Sequence, residues 1–161
     1  GLGAPYWNSH VKAAFVGMDR TTGKAELVRA ALECIAYQIR DVTIAMEEDA
    51  GIRLEELKTD GGPTKNSYLM QFQSDILGRN VAVSGTEELS GTGAGYMAGL
   101  ALGIWDESVF ENIERTCYTP VMSSAARARK VKGWKRSVTG LLECAPEKLR
   151  DPEDADETII L

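Results

Sequence analysis

Histidine is nearly missing from this sequence. His10 is the only one in 161 residues, and it falls in an N-terminal loop, so no Ser–His–Asp constellation can be assembled around it. Cysteine is scarce as well: Cys34, Cys117 and Cys144 are an odd number at wide spacings, with no CxxC pair. That argues against a disulfide framework and a zinc site, and it fits a reducing cytoplasm, the expected compartment. Cys34 falls on a helix face expected to be buried and reads as a small core hydrophobe, because a nucleophilic cysteine would want His and Asn partners that the chain does not supply. No apolar run approaches the roughly 20 residues that a spanning helix needs, so no membrane partner is expected. Positive charge is in deficit, with 18 Lys and Arg against 24 Asp and Glu and a net charge of −6. Nucleic acid, which asks for a basic face, is therefore not an expected partner. The one basic run, Arg127, Arg129, Lys130, Lys132, Lys135 and Arg136, reads as a solvated helix face. A basic-then-apolar leader is absent from Gly1-Leu2-Gly3-Ala4-Pro5-Tyr6-Trp7, as is an initiating Met, and the chain is expected to begin inside a longer protein. Paired acids in a setting that would mark glycosidase chemistry are absent too.

What the sequence does have is alternation. Val11 to Met18 is apolar and of strand length, and Asp19-Arg20-Thr21-Thr22-Gly23 ends it with turn formers. From Lys24, the residues Leu27, Ala31, Cys34, Ile35, Gln38, Val42, Ala45 and Met46 recur at helical steps, with Glu26, Arg29, Glu33, Arg40, Asp41 and Glu47 elsewhere on the wheel. This predicts the longest helix, stopped by Gly51. A strand follows over Leu54 to Thr59, a helix over Asn66 to Leu77 closed by Gly78, a short strand over Val81 to Val83, and a Gly- and Ala-rich helix from Glu87 to Ile104. Strands alternating with helices predict an α/β domain around one core, with a mostly parallel sheet. The glycines of the last of these helices each cost about 1 kcal/mol relative to alanine, so close packing against another backbone is expected there. A short amphipathic piece near Val109 to Ile113 and a helix from about Ser123 to Cys144 complete the domain, taken as residues 1–145. Residues 146–161 are acidic and poor in core residues, and are expected to be disordered.

The run Asp60-Gly61-Gly62-Pro63-Thr64-Lys65-Asn66 sits where a strand breaks and a helix begins. Paired glycines let backbone approach a ligand closely, and the helix start behind them offers unpaired N–H groups to phosphate. In open α/β sheets ligands bind at the carboxyl ends of strands. The run is no P-loop, because the GxxxxGK[ST] spacing is absent, so Lys65 does not take that lysine's role. A Gly pair after a strand is also an ordinary tight turn, and Asp60 serves equally as a general base, a metal-water ligand or a turn residue.

One family joins these pieces. Ala13-Ala14-Phe15-Val16-Gly17-Met18 followed by Glu26-Leu27-Val28-Arg29-Ala30-Ala31-Leu32-Glu33 resembles the second signature of the FGGY carbohydrate kinases. Asp60-Gly61-Gly62, Asn66 to Gly78, Gly95 to Gly103 and Gly133-Trp134-Lys135-Arg136 are similar in order to the C-terminal half of that family's glycerol kinases. The resemblance implies an actin-like, ribonuclease-H-like ATPase domain whose Gly61 and Gly62 lie against the ribose and α-phosphate of ATP and whose Asn66 contacts the adenosine end. It implies that the glycine-rich helix crosses near an interdomain hinge. It further implies an N-terminal sugar-binding domain as partner, a polyol or sugar as acceptor, and Mg²⁺ with its ligands outside this chain. The family's catalytic base also precedes Gly1, so no catalytic residue is expected here and the chain by itself is expected to be inactive. Apolar surface left open would favour homo-oligomers. A different reading, a non-catalytic nucleotide-responsive or interaction module of the actin-like superfamily, is separated from the kinase by whether a carboxylate upstream serves as base. Pro63, Thr64 and Lys65 stand where glycerol kinases usually carry small residues, so the resemblance does not fix one polyol or sugar.

Overall fold

The computed structural model describes residues 1–85, 89–110 and 114–145. Its longest element is α1, Lys24–Ala50. The Glu26 carboxylate accepts from the Gly23 N–H at 2.9 Å to open it, and Gly51, at φ 66°, closes it by donating its N–H to the Glu47 carbonyl. Strand β1, Glu56–Thr59, leads through a 3₁₀ turn, Gly62–Lys65, into α2, Ser67–Leu77. Strand β2, Asn80–Ser84, follows, then α3, Leu89–Ala101, β3, Arg115–Tyr118, and α4, Ser124–Glu143. The start of the predicted Glu87–Ile104 helix, the end of the amphipathic piece near 109–113 and the acidic 146–161 segment lie outside the described residues.

Among the described residues the strands form one sheet in the order β1-β2-β3. β1 and β2 run parallel, with Leu57 opposite Val81, joined by α2 as a strand–helix–strand unit demands. β3 runs antiparallel to β2, with Val81 opposite Tyr118. This strand escapes a reading by alternation, because Arg115-Thr116-Cys117-Tyr118 is short, polar at its start and largely exposed.

The core is built around α2. Leu69, Met70, Phe72 and Ile76 join Val81 and Val83 of β2 and Ala36 and Tyr37 of α1 in one cluster, with Leu57, Tyr118, Met122, Val131 and Trp134 packed against it. Eight of the eleven α2 residues are buried, so this helix is an interior one and carries apolar residues on most of its circumference. Two of its polar members are held: Ser74 Oγ shares its proton between the carbonyls of Arg79 and Tyr118, at 2.9 and 3.0 Å, and the Asp75 carboxylate accepts the N–H groups of Val121 and Met122 at 2.7 and 2.9 Å.

Three expectations change. Val11 to Met18 forms no strand; it is irregular and unpaired, with Val11 buried but Phe15, Val16 and Met18 more than half exposed. Apolar content of strand length supplies a face to bury, but a ladder needs a neighbouring backbone, and none among the described residues lies alongside. On α1 the buried positions are Glu33, Ala36, Tyr37, Asp41 and Thr43, whereas Ala31, Ile35, Gln38 and Met46 of the predicted face are exposed. Finally, the glycines of α3 do not share one packing role. A Cβ on Gly99 would lie 2.1 Å from Trp105 Cε3, against an indole ring and not a backbone, while Gly91, Gly93 and Gly95 meet nothing within 4 Å.

Candidate nucleotide site and its polar anchors

The 3₁₀ turn leaves the carboxyl end of β1 and delivers the chain to α2. Gly61 sits at φ 91° and ψ 173°, a backbone region that is essentially glycine's alone. Thr64 closes the turn on it, its N–H and its hydroxyl both donating to the Gly61 carbonyl, at 3.0 and 2.7 Å. Asn66 then caps α2, accepting the Leu69 N–H on Oδ1 at 3.1 Å, which leaves its amide NH₂ outside the cap. Gly61, Gly62 and Asn66 are thus brought onto one short ledge. A Cβ at Gly61 or Gly62 would meet nothing within 4 Å. The protein itself does not fill the space in front of these glycines. Asp60 is exposed, and the turn is closed by Thr64 instead.

Two buried carboxylates tie the surrounding helices together. Asp41 accepts from the Tyr6 hydroxyl and from Trp134 Nε1, both at 2.6 Å, and so joins the N-terminal loop, α1 and α4. Burial, together with the carboxylate it faces, pushes the Tyr6 phenol well above its ordinary value. Glu33 accepts from Tyr68 of α2 and Arg29 of α1, each at 2.7 Å, and from Lys130 of α4 at 3.3 Å. Lys130 therefore leaves the basic run to serve as an interhelix contact, as does Arg127, whose guanidinium donates to the Asp75 carbonyl. Helical spacing put Glu33 and Asp41 off the apolar stripe; the available signal was their own spacing with Tyr37, at 33, 37 and 41, which places all three on one face.

Burial acts to raise the Glu33 carboxyl, but hydrogen bonds from Tyr68 and Arg29 and the nearby Lys130 charge outweigh it and hold the group below the usual carboxylate range. The unfolded chain, with Glu near pH 4.3, then takes up this proton before the folded one does. The stabilisation is complete above about pH 4.3 and is lost as pH falls through the lower, folded value. Glu33→Gln is expected to flatten the acid limb of the thermal midpoint plotted against pH between about 5 and 3; an unchanged acid limb would contradict this.

A larger open cavity of about 740 Å³ lies between the 11–18 segment, α1 and α4, lined by Phe15, Val16, Leu27, Cys34 and Trp134 among others, away from the glycine ledge. Cys34 is half-buried there, its sulfur accepting from Gln38. Among the described residues no group of three or more His, Cys, Asp and Glu is placed to hold a metal ion, and no helix is long and apolar enough to cross a membrane.

Residues 1–102 match the model of the FGGY family of carbohydrate kinases, C-terminal domain. The chain belongs to the FGGY family. Glycerol kinase of Petrotoga mobilis is 49% identical over 141 residues, which are 86% of this chain and 28% of that protein. Glycerol kinase of Haemophilus influenzae is 47% identical over 151 residues, covering 91% of this chain and 30% of that protein. Among solved structures, Plasmodium falciparum glycerol kinase with ADP superposes with a TM-score of 0.80 at 36% identity, over 88% of this chain and 29% of that one. A xylulose kinase from Lactobacillus acidophilus, at 20% identity and TM-score 0.69 over 87% of this chain and 29% of that one, shares the fold. This FGGY chain accordingly has the α/β architecture of the family's actin-like ATPase fold, and it spans under a third of the length of the relatives it matches. The stretch matched to the family contains the glycine ledge, Glu33 and Tyr68; α4, with Trp134 and Lys130, follows it.

Proposed function

We propose that this chain is the nucleotide-binding part of an ATP-dependent carbohydrate kinase, which transfers the γ-phosphoryl of ATP to a hydroxyl of a polyol or sugar. The observation that supports it is the glycine ledge: unfilled space before Gly61 and Gly62, at the carboxyl end of a parallel strand, in a chain of a kinase family. Gly61 and Gly62 would lie against the ribose and α-phosphate, and Asn66 would offer its amide to the adenosine end. The helix start at α2 and the absence of an acid in its first turn suit an anionic ligand.

The transfer breaks the bond from γ-phosphorus to the β–γ bridging oxygen and forms one to the acceptor hydroxyl oxygen, whose proton passes to a base, leaving ADP and a phosphate ester. Positioning and charge stabilisation carry such reactions, with Mg²⁺ neutralising the phosphates. This chain's part is to hold the nucleotide's near end. The base, the Mg²⁺ ligands and the acceptor contacts are assigned to an N-terminal sugar-binding domain, whose closure would exclude water. The chain alone is then inactive.

The test is an assay of the full-length product of its gene with ATP against a panel of polyols and sugars, glycerol first because the relatives cited above are glycerol kinases. Turnover on at least one acceptor, and none with the isolated chain, is the expected result. No turnover on any acceptor would sink the kinase reading, and ATP binding without turnover would favour a non-catalytic nucleotide-responsive module.

A further inference from the structure

Glu33 ends the second signature stretch, yet it lies off the glycine ledge and no role in holding nucleotide falls to it. It is only 9% exposed, and the three donors it accepts come from three helices: Arg29 on α1, Tyr68 on α2 and Lys130 on α4. Tyr68 is the informative partner, because it stands two residues beyond the cap Asn66, in the first turn of α2. The far end of α2 is fixed through Ser74 and Asp75 to β3 and the loop before α4. The near end is divided: Leu69 and Met70 are buried in the core, whereas Asn66 and Ser67, which form its start, are exposed and Tyr68 is 41% exposed. Among the described residues, the Tyr68 hydroxyl is the side-chain hydrogen bond that reaches this first turn from another helix. The ring is steadied as well, stacked on Phe72 at 6.2 Å with the Arg29 guanidinium 5.9 Å above it, while Lys130 lies over Phe72 at 5.3 Å.

We propose that Glu33 is a positioning residue for the nucleotide site, which by holding the Tyr68 hydroxyl fixes the first turn of α2 and with it the Asn66 amide and the ledge that runs into it. The proposal rests on the nucleotide reading of that ledge. A helix end whose exposed side is tied to a buried carboxylate presents a fixed hydrogen-bonding group to a ligand, and a loosened one must be ordered at the ligand's expense. The signature carboxylate thus acts on the nucleotide from behind, through Tyr68, without touching it.

The experiment uses the full-length product with Tyr68→Phe, Glu33→Gln and Gly62→Ala, and measures ATP affinity by calorimetry, KM for ATP and for the acceptor, kcat, and the thermal midpoint. Tyr68→Phe keeps the ring stack and leaves Glu33 its Arg29 and Lys130 partners, so it folds even if Glu33→Gln does not. The expected result is ATP binding weakened about threefold to tenfold in Tyr68→Phe, with acceptor KM and kcat within about twofold, and the same direction in Glu33→Gln. If Gly62→Ala weakens ATP while Tyr68→Phe leaves it unchanged, or weakens ATP and acceptor alike, the positioning role is overturned and the ledge stands. If ATP affinity is unchanged in all three, the ledge reading falls and the proposal with it.

Discussion

Replacing Asp41 with alanine is expected to cost about 3 kcal/mol, because it strips the acceptor from two part-buried donors, each worth roughly 1–3 kcal/mol when left unpaired. The Tyr6 hydroxyl and Trp134 Nε1 both donate to this carboxylate at 2.6 Å, and Arg40 stands 3.5 Å from its other oxygen. Removing a buried charge relieves some desolvation, which is why the loss is set near the low end of the sum. For a domain of about 150 residues the thermal midpoint should fall by roughly 6–12 °C. Asp41→Asn keeps one acceptor oxygen and should lose less. Trp134 supplies a local readout: its ring stacks on Tyr37 at 5.0 Å and 6°, while Trp7 and Trp105 are 79% and 46% exposed. The loss of stability should therefore come with a change in the fluorescence of this partly buried indole. A midpoint unchanged in Asp41→Ala would remove Asp41 as the joint between the N-terminal loop, α1 and α4.

The elements that were legible are those whose limits are chemical. Gly51 and Gly78 stop α1 and α2 at φ 66° and 74°, and Asn66 and Ser123 cap α2 and α4; each is a residue type that the end of a helix selects. The parallel pairing of β1 with β2 follows from an intervening helix, which a hairpin cannot contain. What failed was the assignment of faces. An apolar stripe on α1 was read as its core side, yet the side that packs is the one carrying Glu33, Tyr37 and Asp41, and the stripe with Ile35 and Met46 stays open. Hydropathy counts a carboxylate as a surface group, because burying one without partners is costly. The donors that make burial tolerable here, Tyr6, Tyr68, Lys130 and Trp134, come from positions up to 97 residues away. No periodicity within α1 can register them.

Val11 to Met18 and β3 fail for mirror-image reasons. The first has the apolar content of a strand and no backbone beside it; the second has a neighbour in β2 and little apolar content to announce it. Strand formation depends on a partner at least as much as on composition. The candidate site was legible as a turn, since a glycine pair before a helix cap is a local signal. Its support was not: Thr64 closing on Gly61 is local and visible, but Glu33 reaching the first turn of α2 through Tyr68 is a contact between residues 35 positions apart.

Gly62→Ala is expected to weaken ATP binding to the full-length protein about tenfold, equal to about 1.4 kcal/mol, while shifting the thermal midpoint by no more than about 2 °C. Three candidates on the ledge differ in what a substitution would mean. At Gly61 any side chain is strained at φ 91°, so lost binding there would not separate backbone distortion from an occupied pocket. At Asn66 the side chain also caps α2, and alanine would cost about 1 kcal/mol in helix stability before a ligand is considered. Gly62 is the cleaner position: its φ lies outside the left-handed region, and apart from its chain neighbours an added Cβ meets no atom within 4 Å. Alanine is chosen over valine because Pro63 disfavours a helical backbone at the residue before it, and a branched side chain would sharpen that conflict. Beyond Pro63 the protein gives the methyl group room, and a ligand lying against the ledge would contest it. Acceptor KM should stay within about twofold, because the polyol or sugar does not reach this ledge in the proposed arrangement. Unchanged ATP affinity in the folded variant would show that the ledge is a turn and that the nucleotide is held elsewhere.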